Sequence, residues 1–341
     1  MKVLVKAKPL KQVFSDFLSG RKVMFNFKCD GKKLYIQILE DFIVNCWLEV
    51  ESLDNDYSTI DVSCYITKVV NILGDDDITL ELTEQNIRLT QSDFSYVLIK
   101  EFEGRRDYEV PTDAIFEKAN ISRLKYLMRC ATSMSTISKE LKVFESDPIF
   151  RGGNFYQKYN STAFRESFNF PECSINMSTV KAIIFKLSDD TTYYHYHERN
   201  MIVFKSYDYV IWVPLITYNS KGNELNAVDS KISECKECAK INLYNYLDKL
   251  KIVKDTNPST KIGFTIGSNG FTLSLDTTNV HLTIGNALTD YICTISMTTA
   301  QLATMCAIFN EDEIVTVLRG ENCLCLRTGK TRNLLILGML F

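Results

Sequence analysis

Proline and glycine are scarce in this chain, at 6 and 14 of 341 residues. No stretch is rich in either, which excludes a flexible or Pro-stiffened linker between domains. No apolar run approaches the roughly 18 residues of a membrane-spanning helix. The opening MKVLVKAKPLK carries lysines but no apolar core of signal-peptide length, so it reads as a first strand. Three histidines leave little material for acid–base chemistry near neutral pH. A phosphate-binding glycine loop, a dinucleotide fingerprint and a zinc-protease helix motif are all missing. A basic excess is missing too: 39 Lys and Arg face 42 Asp and Glu, for a formal charge of −3. The chain as a whole is therefore no basic nucleic-acid binder. These absences predict a protein that is not an enzyme, with no catalytic residue, no cofactor and no metal.

What is present is a soluble globular composition, 45% hydrophobic and 24% charged. Cysteine is plentiful, and its count of 11 is odd. Most cysteines sit inside apolar segments (Cys46, Cys64, Cys130, Cys173, Cys306, Cys323, Cys325), whereas a secreted disulfide framework places them in turns at fixed spacing. Reduced core thiols and a cytoplasmic location are the expectation.

The chain repeats itself three times. Leu10, Leu124 and Leu243 sit early in amphipathic segments (PLKQVFSDFL, SRLKYLMRCA, INLYNYLDKL). Ile66, Val180 and Leu302 sit early in a second set (YITKVVNIL, TVKAIIFKL, QLATMCAIF), 56, 56 and 59 residues further on. Asn86, Asn200 and Asn322 close a polar tetrapeptide 20 residues after that, in every copy. A period of about 115 residues is too long for a solenoid unit and is the size of a domain. Three domains are predicted, at 1–105, 106–220 and 221–341, with boundaries in the polar segments EFEGRRD and YNSKGNE.

Each repeat reads as α+β: two short helices packed on roughly eight antiparallel strands. In the first, Leu10, Val13, Phe14, Phe17 and Leu18 form a helical stripe ended by Gly20. KVMFNFKC and KKLYIQIL alternate around Asp30-Gly31, a hairpin signal. A second helix is expected from Ser63 as N-cap, burying Ile66, Val69, Val70 and Leu73 and closing at Gly74. The middle copy is the least regular, and the third repeats the order, with a Ser-Asn-Gly turn in FTIGSNGFTLSL.

Helices on one face of a sheet bury one stripe and leave the other in water. That outer stripe carries Lys8, Lys11, Lys68, Lys125, Arg129, Lys181 and Lys249, with small polar residues such as Ser15, Thr299 and Thr304. An ordinary solvated helix also carries Lys and Arg; the bias is notable because the chain has more acid than base. Such side chains would meet a phosphate backbone without reading bases, and an acidic exterior would keep DNA off the remaining surface.

The repeat, its length and its two helices per copy resemble the sliding DNA clamps. The nearest likeness is to the beta subunit of bacterial replicative DNA polymerases, with the proliferating cell nuclear antigen and phage clamps more distant. The resemblance covers the whole chain and rests on spacing, since no short signature exists. Met1-Lys2-Val3 before the first helix is similar to how that family begins, and LLILGMLF is similar to its apolar tail. The resemblance implies a ring of two chains closed head to tail, six domains around a duplex, helices inside and sheets outside. It implies a processivity factor whose partners are double-stranded DNA, held non-specifically and topologically, a DNA polymerase, a clamp loader and a second copy of itself. A membrane partner is not implied. The place of action would be the cytoplasm, at the nucleoid, or the host cytoplasm for a phage member. Met339, Leu340 and Phe341 would then form one wall of a groove for partner peptides, with Pro214, Leu215 and Leu225 as the other; alternatively, the tail only packs the last strand. The middle domain lacks a match to the family's pocket-shaping segment, and the last residues lack its proline and arginine. The competing readings are a monomeric or open clamp-like DNA-binding factor and a non-enzymatic β-rich structural protein.

Two further constellations have a chemical and a bland reading. Cys235-Lys236-Glu237-Cys238 has the spacing of a zinc or redox pair, but neither a second such pair nor a thioredoxin-like context accompanies it. His195 and His197 share a strand face without a visible third ligand, in an aromatic segment. Core packing and a solvent-facing strand are the expectations.

Overall fold

The computed structural model describes the chain apart from residues 18–22, 55–57, 67–73, 102–108, 141–146, 160–161, 217–221, 247, 250–259, 277–280, 286, 310–313 and 338–341. In the first repeat the elements are β1 (Lys2–Val5), α1 (Ala7–Phe17), β2 (Val23–Cys29), β3 (Lys33–Leu39), β4 (Ile43–Ser52), β5 (Ile60–Ile66), β6 (Ile78–Leu82), β7 (Asn86–Gln91) and β8 (Phe94–Ile99). The helical stripe of α1 is real: Leu10 and Phe14 are buried, and the Phe14 ring lies 5.5 Å from Phe25 and 6.3 Å from Phe27. Burying one such side chain is worth about 1.5–3 kcal/mol. The Asp30-Gly31 turn joins β2 to β3 as expected. Gly31 takes φ 78°, and the Asp30 carboxylate accepts from the Lys32 and Lys33 N–H groups.

Ser63 caps no helix. It lies inside β5, opposite Asn26 of β2, and its hydroxyl accepts from Asn26 Nδ2 at 2.8 Å. The alternation of IDVSCYI carries the strand through Ile66, past the expected start of the helical stripe. Val69, Val70 and Leu73 fall outside the described residues, as do Leu18 and Gly20.

The middle repeat holds β9 (Glu117–Lys118), α2 (Ile121–Glu140), β10 (Ile149–Arg151), β11 (Asn154–Tyr159), β12 (Thr162–Ser167), β13 (Cys173–Ile175), α3 (Met177–Ile183), β14 (Thr192–Tyr196), β15 (Met201–Lys205) and β16 (Tyr209–Ile216). At 20 residues α2 is no short helix. The third repeat holds α4 (Gly222–Glu234), β17 (Lys236–Asn242), β18 (Lys261–Gly267), β19 (Gly270–Asp276), β20 (His281–Gly285), β21 (Cys293–Thr298), α5 (Thr299–Ile308), β22 (Ile314–Gly320), β23 (Cys323–Thr328) and β24 (Arg332–Leu337). Thr298 caps α5 in a full capping box with Gln301. Helix α4 begins within the polar segment YNSKGNE, where a connector is expected. Its signal is Leu225, Val228 and Ile232 at helical spacing, all buried. After β17, which runs to Asn242, a 3-10 turn follows Leu243 at Tyr244–Tyr246, and Asp248 and Lys249 are helical; residues 247 and 250–259 lie outside the described residues.

Eight strands per repeat are arranged by one rule. The second to fifth strands of a repeat form the order 5-2-3-4: β5-β2-β3-β4, β13-β10-β11-β12 and β21-β18-β19-β20. The first and the last three form 1-6-7-8: β1-β6-β7-β8, β9-β14-β15-β16 and β17-β22-β23-β24. Neighbouring repeats are then stitched antiparallel, the fourth strand of one to the eighth of the next. Val44 of β4 pairs with Ile211 of β16, and Phe164 of β12 pairs with Leu334 of β24. The chain accordingly divides into two compact units, Met1–Leu124 with Ser178–Leu215 and Lys125–Met177 with Ile216–Phe341. Each holds one such seam.

Candidate nucleic-acid interface and partner surfaces

The three asparagine tetrapeptides mark the same hairpin in each repeat. They form the turns from β6 to β7, β14 to β15 and β22 to β23. Asn200 and Asn322 adopt left-handed φ values of 51° and 53°, a conformation asparagine tolerates better than most residues. In the first repeat the Thr83 hydroxyl instead accepts from the Asn86 N–H at 3.1 Å. These repeated residues serve the turns.

The helices meet in pairs across the seams. In the first unit, Pro9 and Gln12 of α1 line one cavity with Lys186, just beyond α3. In the second, Tyr126 of α2 donates its hydroxyl to the Ile308 carbonyl at the end of α5, at 2.8 Å. Lys8 and Lys11 lie on α1 and Lys181 on α3; Lys125 and Arg129 lie on α2. Lys8 and Arg129 are exposed, Lys125 is half-buried, and none of the three has an ion pair among the described residues. Lys11 is committed: its ammonium lies 2.9 Å from Asp75, and this hydrogen bond holds the Asp75 carboxyl below its ordinary value. Lys249 sits 5.9 Å from the Tyr246 ring centroid. Lys68 falls outside the described residues. Helices α1, α2 and α3 have no acid in the first turn, whereas α4 carries Glu224 there; the Asp147 carboxylate nevertheless meets the positive end of α3, accepting from the Met177 N–H at 2.9 Å.

Thr299 and Thr304 do not belong to the water-facing stripe. Both are buried, because α5 (TAQLATMCAI) has apolar neighbours on nearly every side and sinks into the third repeat.

Of the groove residues, Pro214 is exposed. Leu215 is buried at the end of β16, where its N–H donates to the Asn200 carbonyl. Leu225 of α4 is buried in a cluster with Ile149 and Tyr156. Pro214 and Leu215 belong to the first unit and Leu225 to the second. Met339, Leu340 and Phe341 lie outside the described residues. Sequence reasoning missed the polar wall that α4 builds: Asp229 accepts from the Tyr156 hydroxyl at 2.9 Å and lies 2.9 Å from Arg165.

The thiol and imidazole pairs are structural. Cys235 follows α4 and faces Cys323 with 3.6 Å between sulfurs, and Cys238 contacts the Val317 carbonyl. Burial pushes the Cys235 thiol up to about 12, reinforced by its bond to Cys323, so the nucleophilic thiolate is suppressed. The His195 and His197 rings lie 3.7 Å apart, tilted by 42°; desolvation and then the His197 charge lower the His195 pKa. Among the described residues no group of three His, Cys, Asp or Glu side chains could hold a metal ion, and no helix is long and apolar enough to cross a membrane.

The fold is that of the beta-type sliding clamp, end to end. The chain is similar to the Helicobacter pylori beta clamp at 11% identity and a TM-score of 0.76, over 99% of this chain and 100% of that one. It is similar to the same clamp bound to a DNA ligase peptide, at 12% identity and 0.73, again over 99% and 100%. It is also similar to the Streptococcus pneumoniae DNA polymerase III beta chain, at 13% identity and 0.73, over 99% of both chains. No family model and no curated protein matches the chain by sequence.

Proposed function

We propose that this chain is a DNA sliding clamp: two copies close into a ring around duplex DNA and tether a replicative polymerase as its processivity factor. The observation that carries this reading is the open end of the strand series. The fourth strand of repeats one and two is stitched to the eighth strand of the next repeat. The two strands left over are β20, the fourth of repeat three, and β8, the eighth of repeat one. Among the described residues each is paired in a ladder on one side only, and β8 meets β5 only near its end, where the Glu101 N–H donates to the Ser63 carbonyl. β8 also exposes Val97 and Ile99, at 41% and 67%, and natural sheets rarely leave such an edge uncovered. Joining β20 of one chain to β8 of another continues the rule, and two chains of three domains (1–105, 106–220, 221–341) make six. The fold shared with beta clamps supports the same geometry.

A ring explains how an acidic chain can hold DNA. Phosphate contacts alone weaken steeply with salt, whereas a closed ring is lost only by opening or sliding off an end. The polymerase then rebinds its template at high effective concentration. A clamp loader would open the ring, and the work would take place in the cytoplasm. The test is retention on nicked circular DNA at high salt. A ring stays until the circle is linearised; a protein that leaves the intact circle at high salt is not a clamp.

In this reading Lys8, Lys11, Lys68, Lys125, Arg129, Lys181 and Lys249 face the duplex. Changing the exposed Lys8, Arg129 and Lys249 to Glu should weaken loading while leaving the fold intact, since exposed substitutions cost within about 0.5 kcal/mol. The initial DNA-binding step should lose salt dependence by about 0.9 in log–log slope for each phosphate contact removed. An unchanged slope in a folded variant would remove these residues from the channel.

The partner groove is proposed for Met339, Leu340 and Phe341 with Pro214, Leu215 and Leu225. The supporting case is an apolar segment following β24 and a beta-clamp relative that binds a DNA ligase peptide. Deleting Met339–Phe341 should weaken polymerase-peptide binding about thirtyfold, the equivalent of one central apolar anchor of about 2 kcal/mol. Normal affinity with a lowered melting temperature would show that the tail only packs the last strand.

A further inference from the structure

A cavity of about 500 Å³ opens at the first seam, inside the first compact unit. Its origin is a mismatch in strand length. β16 begins at Tyr209, opposite Cys46, while β4 runs on through Trp47, Leu48 and Glu49 with no β16 residue beside them. Pro9 and Val13 of α1 supply an apolar wall, and Trp47, Tyr207 and Tyr209 supply aromatic ones. Tyr209 is fixed by its hydroxyl, which accepts from the Ser188 N–H at 2.8 Å and bonds Thr191 Oγ1 at 2.7 Å. Tyr207 is 81% exposed at the mouth. A hollow of this size, mostly apolar with a few polar groups, has the build of a ligand site.

The charges at the rim do not cancel. Lys6 is spent on Asp77 at 2.6 Å, and Lys186 is also engaged within the chain. Glu49 and Asp208 are exposed and have no hydrogen bond or ion pair among the described residues. Aromatic faces beside free carboxylates favour a cation on an apolar stem: the rings attract the charge, the carboxylates pair with it, and the methylenes bury against the apolar wall.

The second seam points the same way. Tyr126 and Ile308 stand there at the repeat positions of Gln12 and Lys186. The Tyr126 ring lies 4.7 Å from the Arg332 guanidinium, and Glu166 is 3.5 Å from Arg332. That seam thus supplies an aromatic ring, a guanidinium and a carboxylate from its own chain. The first seam has the rings and the carboxylates, but no arginine lines it.

We propose that this cavity is a docking site for an arginine side chain that a partner polypeptide presents next to an apolar residue. The proposal rests on the cavity alone and is independent of the clamp reading. The probes are acetyl-Leu-Arg-amide, acetyl-Leu-Gln-amide and acetyl-Leu-Glu-amide, titrated into the full chain while tryptophan emission is followed. Trp47 reports on the cavity, and Trp212, 1% exposed, gives a constant background. The arginine peptide should saturate below about 1 mM, within reach of a ligand of this size, and the glutamate peptide should not. Glu49→Gln with Asp208→Asn should weaken the arginine peptide about three- to tenfold, as expected for two solvent-exposed charge pairs. Gln12→Tyr, which supplies the ring of the second seam, should fill the hollow and abolish the response. Should that variant fail to fold, the near-isosteric carboxamide pair carries the test. Equal binding of the three peptides, no saturation, or indifference to the carboxamide pair would each overturn the proposal.

Discussion

A chain carrying Val97→Lys and Ile99→Lys should run as a 39.1 kDa monomer where the parent runs at about twice that mass. Both positions lie on the open edge of β8 and are exposed in the single chain, so the monomer should keep its fold. In the proposed ring they become covered. Each would lose about 1.5–3 kcal/mol of burial and bring a charge beside its own neighbour. A two-chain ring contains the contact twice, so a loss of about 3 kcal/mol per interface becomes about 6 kcal/mol per ring, roughly four decades in the dimer constant. Equilibrium sedimentation measures this directly, and the variant should be lost from nicked circles in parallel. A double mutant that remains a dimer would place the interface elsewhere than β8.

Arg332→Ala should cost the fold about 3–5 kcal/mol, read from the urea midpoint at constant slope. Arg332 and Glu166 are 7% and 1% exposed and 3.5 Å apart, and the guanidinium lies over the Tyr126 ring, 4.7 Å from its centroid. Removing the cation leaves a carboxylate that is 1% exposed without its charge partner. The double change Arg332→Met with Glu166→Leu should recover most of the loss, because well-packed apolar pairs often match a buried ion pair. A single-mutant loss under about 1 kcal/mol would mean that water reaches Glu166 and that the second seam is not sealed there.

Strands with one wet face were legible in the sequence because their period of two is local. The hairpins at Asp30-Gly31 and Ser268-Asn269-Gly270 stand where the turn residues place them. The repeat was legible because Leu10, Leu124 and Leu243, and Val180 and Leu302 of the second set, are all buried. Ser63 misled because a serine before an apolar run serves equally as an N-cap or as an inward strand residue; its partner Asn26 lies on another strand. Helix α4 was missed because its polar face (Asn223, Glu224, Ser230) resembles a connector, while its stripe of Leu225, Val228 and Ile232 is only three residues wide. The site was less legible still. Lys8 and Lys11 look alike in sequence, yet only the fold brings Asp75 to Lys11. The cavity beside Trp47 depends on where β16 starts relative to β4, a property of two segments far apart in the chain.

The stitching of repeats also sets the order in which this protein can be made. β12 cannot complete its sheet within its own repeat: Thr162 waits for Ile336, so that edge stays open while nearly all of the third repeat is synthesised. The first seam closes earlier, since β4 needs only β16. A nascent chain halted after the middle repeat would therefore carry one finished seam and, besides the edge of β8, the bare edge of β12, a natural target for chaperones and for misassembly. Pairings of such long sequence separation are slow to find. Refolding should accordingly show two stages, with the segment around Phe164 and Leu334 the last to gain protection from hydrogen exchange.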